Sequence, residues 1–323
     1  MTSYSVFVTR PDIPKIAFDI LEKKGYKVST WTEERPVPRS VLLKEVKGKD
    51  ALLCVLTDTV DLEILNAAGS NLKVISTMSV GYEHLDINEI KKRKIRIGYT
   101  PGVLTEAVAE LTLALLLATS RRLFESHEAI LDAKWPSWSP SWMCGRSLKN
   151  STVGIVGFGR IGQQIAKLLQ PFSVSQILYS GRSEKPGGKA LNAKFTDFND
   201  LIKLSDFIIV ACALTPETKG LFNKNVFNKM KSTCIFINTS RGAVVVQEDL
   251  IDALKTGKIG AAGLDVMVPE PIPPDHELLK LKNCVVIPHI GSASIDTRRN
   301  MAELTANNIV SALEEKPMPA ELL

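Results

Sequence analysis

One stretch of about twenty residues constrains the fold of this chain more than any other. An apolar run at Thr152–Val156 predicts a strand, and three glycines follow it in the spacing G-x-G-x-x-G: Gly157, Gly159 and Gly162. Apolar residues then recur at helical spacing: Ile161, Ile165, Leu168 and Leu169. In such a turn the glycines permit the bend, close approach by a bound group and tight helix–strand packing. Because the start of a helix attracts anions, the stretch predicts a dinucleotide pyrophosphate site rather than an ordinary glycine-rich turn.

Strands and helices alternate on both sides of this stretch, which is typical of parallel sheets covered on both faces. Five strands are predicted before it: Val6–Thr9, Lys27–Trp31, Ala51–Leu56, Val74–Thr77 and Ile95–Tyr99. Five more are predicted after it: Gln176–Tyr179, Phe207–Ala211, Cys234–Asn238, Ala261–Asp265 and Cys284–Ile287. A length of 323 residues suits two domains. We therefore expect a small α/β domain followed by a doubly wound domain with six strands.

Several segments lie outside this alternation. Thr105–Arg122 is apolar on every turn and predicts a long buried helix. Ser294–Leu313 predicts a final helix too long for the second sheet alone, so we expect it to pack on the first domain. Three of the four tryptophans fall in the loop Trp135–Trp142, which favours a subunit interface over packing on the same chain. Gly187–Gly188 is expected to lie in a loop.

Composition excludes several classes of protein. The net charge of +5 is mild, and the basic run Lys91–Lys94 ends a predicted helix, so nucleic-acid binding is not expected. The five cysteines form no C-x-x-C pair, which favours free thiols in a reducing compartment, and no metal site is predicted. Met1–Arg10 does not resemble a signal peptide, and the apolar run Leu111–Ala118 is too short to span a bilayer. These features predict a cytoplasmic protein with no membrane partner.

Of the four histidines, His289 is the best candidate for a proton donor. It directly follows a predicted strand, and ligands of open α/β folds bind beyond the carboxyl ends of the strands. Arg241 also follows a strand and could bind a carboxylate through two hydrogen bonds, or could simply face solvent. Glu270 could pair with an imidazole, although a Glu between two prolines is usually just exposed. For His289, the alternative is a structural histidine packed under a loop.

Seven ordered segments carry a resemblance to a known family: Val80–Gly81, Val108–Leu111, Gly157–Gly162, Asn238–Gly242, Ala262–Val266, Pro269–Pro271 and Pro288–Ala293. Together they resemble the D-isomer-specific 2-hydroxyacid dehydrogenases over nearly the whole chain. Four further segments are similar to the animal glyoxylate/hydroxypyruvate reductase branch: Ser76–Gly81, Trp135–Trp142, Ala306–Asn308 and Pro317–Pro319.

The resemblance implies an architecture. A doubly wound Rossmann cofactor domain, residues 105–292, would be inserted into a flavodoxin-like α/β substrate domain formed by residues 1–104 and 293–323. It also implies NAD(P)-dependent reduction of small 2-keto acids, glyoxylate or hydroxypyruvate, to the 2-hydroxy acids glycolate or D-glycerate. The subunits would form a homodimer.

The resemblance also implies residue roles. Arg241 would bind the substrate, His289 would donate the proton, and Glu270 would pair with His289. Further substrate contacts would come from the N–H groups of Val80 and Gly81, from Ser292 and, across a dimer, from Trp138. The remaining positions would bind the cofactor: Gly157, Gly159, Arg160, Ile161, Ala213, Thr239, Asp265 and Gly291.

One position departs from the NAD-using members of this family. An acid that binds the ribose hydroxyls is expected at the end of the second strand of the cofactor domain. Ser180 stands there instead, and Arg182 follows where it could pair with a 2′-phosphate. The sequence therefore predicts NADPH rather than NADH, the alternative being that Arg182 is an ordinary loop residue.

Three other functions remain open from the sequence. A nucleotide-sensing corepressor built on the same scaffold would share the catalytic positions, although the chain has no long disordered tail. A phosphoglycerate dehydrogenase would carry the ribose acid and usually a longer chain. The substrate could also be another D-2-hydroxy acid.

Overall fold

A computed structural model describes residues 3–322, which form two compact units. Unit 1 comprises Met1–Leu104 and Ser292–Leu323, and unit 2 comprises Thr105–Gly291. The chain therefore leaves unit 1 once and returns to it once. The terminal residues Met1, Thr2 and Leu323 of the predicted substrate domain lie outside the described residues.

The first part of unit 1 is a parallel sheet with helices between its strands. Among the described residues it has five strands: β1 (Ser5–Val8), β2 (Lys27–Thr30), β3 (Ala51–Cys54), β4 (Val74–Thr77) and β5 (Arg96–Gly98). Four helices connect them: α1 (Ile16–Lys23), α2 (Arg39–Glu45), α3 (Leu62–Ala68) and α4 (Ile87–Lys92). The strand order β2-β1-β3-β4-β5 is that of flavodoxin-like folds, as the family resemblance implies. β3 and β4 are buried at every position, because helices cover both faces of a parallel sheet.

Unit 2 contains a larger parallel sheet. In the part of the chain that the structure describes, it has seven strands: β6 (Thr152–Val156), β7 (Gln176–Ser180), β8 (Ala193–Phe195), β9 (Phe207–Val210), β10 (Ile235–Asn238), β11 (Ala261–Leu264) and β12 (Cys284–Val286). The order β12-β11-β10-β9-β6-β7-β8 reverses direction beside β6, which makes the sheet doubly wound. The expectation of six strands was wrong. Edge strand β8 has three residues, of which only Ala193 is buried, so no apolar run indicates it.

Seven helices accompany this sheet within the described residues: α5 (Thr105–Ser120), α6 (Leu123–Leu131), α7 (Arg160–Leu169), α8 (Pro186–Ala190), α9 (Phe198–Leu204), α10 (Lys224–Phe227) and α11 (Gln247–Lys255). The predicted helix Thr105–Arg122 ends earlier, because Arg122 adopts a left-handed backbone (φ 55°) and α6 starts after it. Gly187–Gly188, expected in a loop, lies in α8. No helix of residues 3–322 is long and apolar enough to cross a membrane.

Apolar side chains pack on both faces of the unit 2 sheet. On one face α5 and α7 cover β6 and β10, with Leu115, Ile165 and Leu169 buried among the strand residues. On the other face Phe222, Phe227 and Phe236 form a cluster of edge-on rings. This double-sided burial fixes the sheet, so that the loops at the carboxyl ends of its strands have rigid supports.

The last helix, α12 (Ile295–Leu313), belongs to unit 1. Ser294 caps it by accepting the Thr297 N–H at 3.3 Å. Its buried side chains pack on α1 and on β3, β4 and β5, as expected from its length. The chain then pairs beside β5, where the Leu322 N–H donates to the Ile97 carbonyl at 2.9 Å.

Candidate active site

The three predicted catalytic residues follow three neighbouring strands of unit 2. Arg241 lies just beyond β10, Glu270 in the loop after β11, and His289 just beyond β12. The three strands are parallel and adjacent in the order β12-β11-β10. Their carboxyl ends therefore meet at one edge of the sheet, which is the edge where open α/β sheets bind ligands.

Glu270 and His289 are in direct contact. The His289 Nδ1 atom lies 2.7 Å from the Glu270 Oε2 atom, and the two side chains are 29% and 34% exposed respectively. An ionised carboxylate can only accept hydrogen bonds, so Nδ1 carries a proton and donates it to Glu270. The bond thereby fixes the ring orientation and leaves the Nε2 atom of His289 for a substrate.

The surroundings of Glu270 keep it ionised. Burial alone would raise the pKa of this carboxyl group, but the hydrogen bond and charge of His289 oppose that effect. The Met267 N–H, which donates to Glu270 Oε1 at 3.1 Å, and the charge of Arg241 also favour the ionised form. The net effect is a pKa below the ordinary value of 4.5. Glu270 is therefore ionised at neutral pH and accepts the Nδ1 proton of His289 in a hydrogen bond.

The backbone around His289 is held by Asp265. His289 has a left-handed backbone (φ 51°), which costs a residue with a side chain about 1–2 kcal/mol. The Asp265 carbonyl accepts the His289 N–H at 2.9 Å, and the Asp265 carboxylate accepts the N–H groups of Ile290 (2.7 Å) and Gly291 (2.9 Å). Burial raises the pKa of Asp265 despite these bonds. Three hydrogen bonds to Asp265 therefore hold the strained turn, and such strain is common at functional sites.

Arg241 reaches this site through a close approach of two loops. A methyl group added at Gly242 would lie 2.2 Å from the Met267 carbonyl oxygen, so only glycine allows the loop after β10 to touch the loop after β11. The Arg241 Nη1 atom donates to the Ser240 carbonyl at 2.8 Å. Asn238 ties the same loop by donating to the Arg241 carbonyl and accepting the Ser240 N–H, both at 3.0 Å.

The glycine turn has the geometry that its spacing predicts. Gly157 has φ 95°, and a methyl group there would lie 2.5 Å from the Cys212 nitrogen. A methyl group at Gly162 would lie 2.2 Å from the Gly157 carbonyl oxygen, so α7 packs directly on the turn. At Gly159, which caps α7, an added methyl group would meet no protein atom within 4 Å. The turn is closed towards the sheet and open in front of the helix, a cradle that fits a pyrophosphate.

The structure places the other predicted cofactor residues at the same sheet edge. Ser180 ends β7, and its carbonyl accepts the Gly157 N–H at 2.8 Å. Arg182 is exposed two residues later, and its charge helps to lower the pKa of Glu217, which a hydrogen bond with Thr215 lowers most. Arg160 and Ile161 are the first two residues of α7. Ala213, Thr239 and Gly291 follow β9, β10 and β12 respectively.

The predicted substrate residues of unit 1 lie beyond β4 and just before α12. A chain of polar groups holds Gly81: Ser79 Oγ donates to the Gly81 carbonyl at 2.6 Å and lies 2.8 Å from Thr77 Oγ1, which lies 2.9 Å from His84 Nε2. Because a carbonyl oxygen can only accept a hydrogen bond, the Ser79 hydroxyl donates to the Gly81 carbonyl and accepts from the Thr77 hydroxyl. Thr77 in turn accepts from His84, which donates through Nε2. Val80 belongs to the same turn, and the Ser292 backbone carbonyl accepts the Ser294 N–H at 3.0 Å.

The predicted substrate residue Trp138 is exposed in unit 2, with 86% of its surface accessible.

His127 is exposed on α6, and His276 uses its Nδ1 atom to accept the Leu278 N–H at 3.2 Å. In the part of the chain that the structure describes, the histidine hydrogen-bonded to Glu270 is His289.

Two functional contacts do not follow from the sequence. The family resemblance assigns Asp265 to the cofactor but does not predict that its carboxylate fixes the turn after His289. Tyr179, whose ring stacks on Phe158 of the glycine turn, is missed as well. The continuous apolar run of β7 indicates that Tyr179 is buried, but nothing in the sequence shows which loop its hydroxyl group contacts.

Comparison with known proteins identifies the class of this chain. Residues 113–291 match the NAD-binding domain of the D-isomer-specific 2-hydroxyacid dehydrogenases, which is more than half of the 323 residues. The chain therefore belongs to the D-isomer-specific 2-hydroxyacid dehydrogenase family and is an oxidoreductase with a nicotinamide dinucleotide domain.

Individual relatives narrow this class further. The chain is 54% identical to the glyoxylate reductase/hydroxypyruvate reductase of Mus musculus over 318 residues, covering 98% of this chain and 97% of the mouse protein. A glyoxylate reductase of Thermofilum pendens is 44% identical over 99% of this chain and 94% of its own.

Solved structures have the same fold. A protein from Thermus thermophilus gives a TM-score of 0.91 at 41% identity, covering 99% of this chain and 100% of that one. The NADPH-dependent glyoxylate/hydroxypyruvate reductase of Sinorhizobium meliloti, solved with NADP and malonate, gives 0.87 at 27% identity, covering 99% and 97%.

Proposed function

We propose that this protein reduces the small 2-keto acids glyoxylate and hydroxypyruvate to glycolate and D-glycerate, with NADPH as the reductant. The observation that carries the proposal is the hydrogen bond between His289 Nδ1 and Glu270 Oε2, placed beside Arg241 at the sheet edge that also holds the dinucleotide turn. The sequence identity of 54% to the glyoxylate reductase/hydroxypyruvate reductase of Mus musculus supports the choice of substrates.

The chemistry divides between the cofactor and the chain. Reduction of a 2-keto acid adds a hydride to the carbonyl carbon, which a bound nicotinamide supplies, and a proton to the carbonyl oxygen. His289 would give that proton from Nε2 and keep the proton on Nδ1, hydrogen-bonded to Glu270, so the imidazole ends neutral. Arg241 would bind the substrate carboxylate and polarise the carbonyl. Carboxylate binding by the N–H groups of Val80 and Gly81, and contact with Ser292, remain predictions.

The residues of unit 2 fit such a cofactor. The open position in front of Gly159 and the start of α7 suit a pyrophosphate, with Arg160 and Ile161 offering first-turn N–H groups. Thr239 Oγ1 is fixed by Thr112 Oγ1 at 2.8 Å, beside the loop of Arg241. Asp265 keeps acceptor capacity beyond its two N–H bonds, which suits the nicotinamide carboxamide.

Steady-state kinetics of the purified protein would test the substrate assignment. We expect NADPH oxidation with both glyoxylate and hydroxypyruvate, and much slower oxidation with larger 2-keto acids. His289→Ala should lower kcat by roughly a hundredfold or more, while the affinity for NADPH stays at the wild-type value. Absence of turnover with either acid would refute the proposed activity, whereas an active His289→Ala variant would refute only the proton donor.

The preference for NADPH is a separate part of the proposal. It is supported by Ser180 at the end of β7, where an acid would repel a 2′-phosphate, and by the exposed Arg182. We expect fluorescence titration to give tighter binding of NADPH than NADH, and Ser180→Asp to reverse that order. Tighter binding of NADH by the wild-type protein would contradict this part alone.

Assembly and location complete the proposal. Large apolar side chains are exposed along α6 and the following loop: Leu123, Phe124, Ile130, Leu131, Trp135 and Trp138. We expect this surface to be covered by a second copy of the chain, with Trp138 near the partner's site, in a cytoplasmic homodimer. Sedimentation velocity should give a dimer, and Trp138→Ser with Leu131→Ser should give a monomer.

A further inference from the structure

Tyr179 connects the glycine turn to the segment that carries Arg182. It precedes Ser180 on β7 and is 1% exposed. Its ring stacks on Phe158, with centroids 3.9 Å apart and an angle of 18° between the planes. Phe158 is the residue between the first two glycines of the turn. The stack therefore joins the proposed pyrophosphate cradle to the end of the neighbouring strand.

The hydroxyl group of Tyr179 closes the segment that follows. It accepts the Lys185 N–H at 3.0 Å and donates to the Lys185 carbonyl at 3.3 Å. At the other end of the segment, the Ser180 carbonyl accepts the Gly157 N–H at 2.8 Å. Residues 181–184 are thus held at both ends, and Arg182 and Ser183 lie exposed between them.

Helix α8 supports the same arrangement from the far side. A methyl group at Gly188 would lie 2.6 Å from the Tyr179 ring, and one at Gly187 would lie 2.2 Å from Gln163 Oε1. Gln163, on α7, donates through Nε2 to the Phe158 carbonyl at 3.1 Å. The contacts run from Phe158 through Tyr179 to α8 and back to α7, so the loop of Arg182 is tied to the glycine turn within unit 2.

The aromatic ring and the hydroxyl group have separate tasks. A phenylalanine would fill the same space against Phe158 and Gly188, so packing explains the ring but not the oxygen. In the described residues, both hydrogen bonds of the oxygen go to the backbone of Lys185. Since the loop closed in this way carries a guanidinium and a serine hydroxyl, its fixed shape matters for an anion that binds there.

We propose that the Tyr179 hydroxyl is a positioning group for cofactor specificity, which holds the 181–185 loop so that Arg182 and Ser183 bind the 2′-phosphate of NADPH. This inference rests on the proposed preference for NADPH. It assigns to Tyr179 a share of the discrimination between the two cofactors although the hydroxyl touches neither. The rest of the dinucleotide site, formed by Gly157–Gly162, does not depend on it.

The test is Tyr179→Phe, measured by equilibrium binding of NADPH, NADH, 2′,5′-ADP and ADP. Loss of two loop-closing hydrogen bonds should weaken the two 2′-phosphorylated ligands about five- to tenfold. NADH and ADP should change by less than about twofold, which also shows that the variant is folded. Tyr26→Phe, the same change at a buried tyrosine of unit 1, is the matched control and should bind all four ligands like the wild type.

Arg182→Ala separates this inference from the proposed function. If Arg182→Ala abolishes the preference of the wild type and Tyr179→Phe leaves it intact, the role of Tyr179 is refuted while the NADPH proposal stands. Equal weakening of all four ligands by Tyr179→Phe would also refute it, because the hydroxyl would then support the whole site. A wild-type protein without preference for NADPH would overturn both.

Discussion

Single residues at the candidate site are held in conformations that they would not adopt alone. His289 has a left-handed backbone, and Asp265 compensates by accepting three successive N–H groups, those of His289, Ile290 and Gly291. Glu270 then fixes the ring through Nδ1. The position of the proposed proton donor therefore depends on two carboxyl groups, those of Asp265 and Glu270, which follow the strand next to its own.

Glu270→Gln should change the pH dependence of reduction. The lowered pKa of Glu270 keeps this group charged at neutral pH, where it accepts the Nδ1 proton of His289 in a hydrogen bond. Without the charge, kcat/KM at neutral pH should fall roughly tenfold to a hundredfold, and the variant should lack the loss of activity that the wild type shows as the pH falls through the folded pKa of Glu270, below 4.5. The pH profile of kcat/KM measures both.

A matched control is Glu277→Gln, a change of the same type at a carboxylate that pairs with Lys255 rather than with His289. Its profile should coincide with that of the wild type. An unchanged profile for Glu270→Gln would show that Glu270 only holds the loop.

The sequence predicts the identity of these residues better than their support. Arg241 and His289 follow apolar runs that end at the same edge of a parallel sheet, so their convergence can be inferred without a structure. The Asp265 bonds span 25 and 26 residues and depend on the left-handed backbone of His289. No local pattern records such a contact, which explains why this role of Asp265 escapes sequence analysis.

At the scale of the elements, different glycines of the turn between β6 and α7 serve the stability of the fold and the proposed binding of the dinucleotide. Gly162 must be glycine for the fold, because a methyl group there would overlap the Gly157 carbonyl. Gly159 has no such neighbour, and its φ of −77° suits any residue. The same motif thus contains one glycine that the helix requires and one that a ligand would require.

Alanine at each of these two positions should therefore have different effects. Gly159→Ala should unfold at the wild-type denaturant concentration but bind NADPH at least tenfold more weakly, because the methyl group fills the cradle. Gly162→Ala should lose roughly 1–3 kcal/mol of unfolding free energy through overpacking. Chemical denaturation and fluorescence titration of both variants provide the measurement. Wild-type affinity in Gly159→Ala would place the dinucleotide elsewhere.

Apolar sequence patterns predict some of the helices and strands but not all of their boundaries. Strands with fully buried faces, such as β3, β9 and β10, are visible as apolar runs. Edge strand β8 is mostly exposed, so its composition resembles a loop. The break after α5 depends on the left-handed backbone of Arg122, which no glycine or proline marks. A sequence pattern of apolar residues predicts which residues are buried. Neither the edge strand β8 nor the end of α5 is defined by buried residues.

At the scale of the whole molecule, unit 1 is closed by its own C-terminal segment. Arg96 on β5 donates from Nε and Nη2 to the two carboxylate oxygens of Glu321, both at 2.7 Å, and from Nη1 to the Lys316 carbonyl at 2.8 Å. The hydrogen bonds from Arg96 lower the pKa of Glu321, and burial opposes them with a smaller effect. This ion pair joins residues that are 225 positions apart.

Glu321→Gln should lower the unfolding free energy of unit 1 by about 1 kcal/mol at pH 7. The folded pKa lies below the ordinary value of 4.5, so the contribution is fully present above about pH 4.5 and is lost as the pH falls through the folded pKa. Urea unfolding at pH 7 and at acid pH should show the difference shrinking on acidification. Glu33→Gln, which breaks an exposed pair with Arg35, should change little at either pH.

The return of the chain to unit 1 has a consequence for biosynthesis. A ribosome completes the sheet of unit 2 as one uninterrupted segment, whereas β3 and β4 of unit 1 wait for α12, which is translated after all of unit 2. A premature stop codon after Gly291 should therefore harm the part of unit 1 that is translated before unit 2. In a protease digest of that truncated product, we expect residues 105–291 to survive and the N-terminal hundred residues to be degraded.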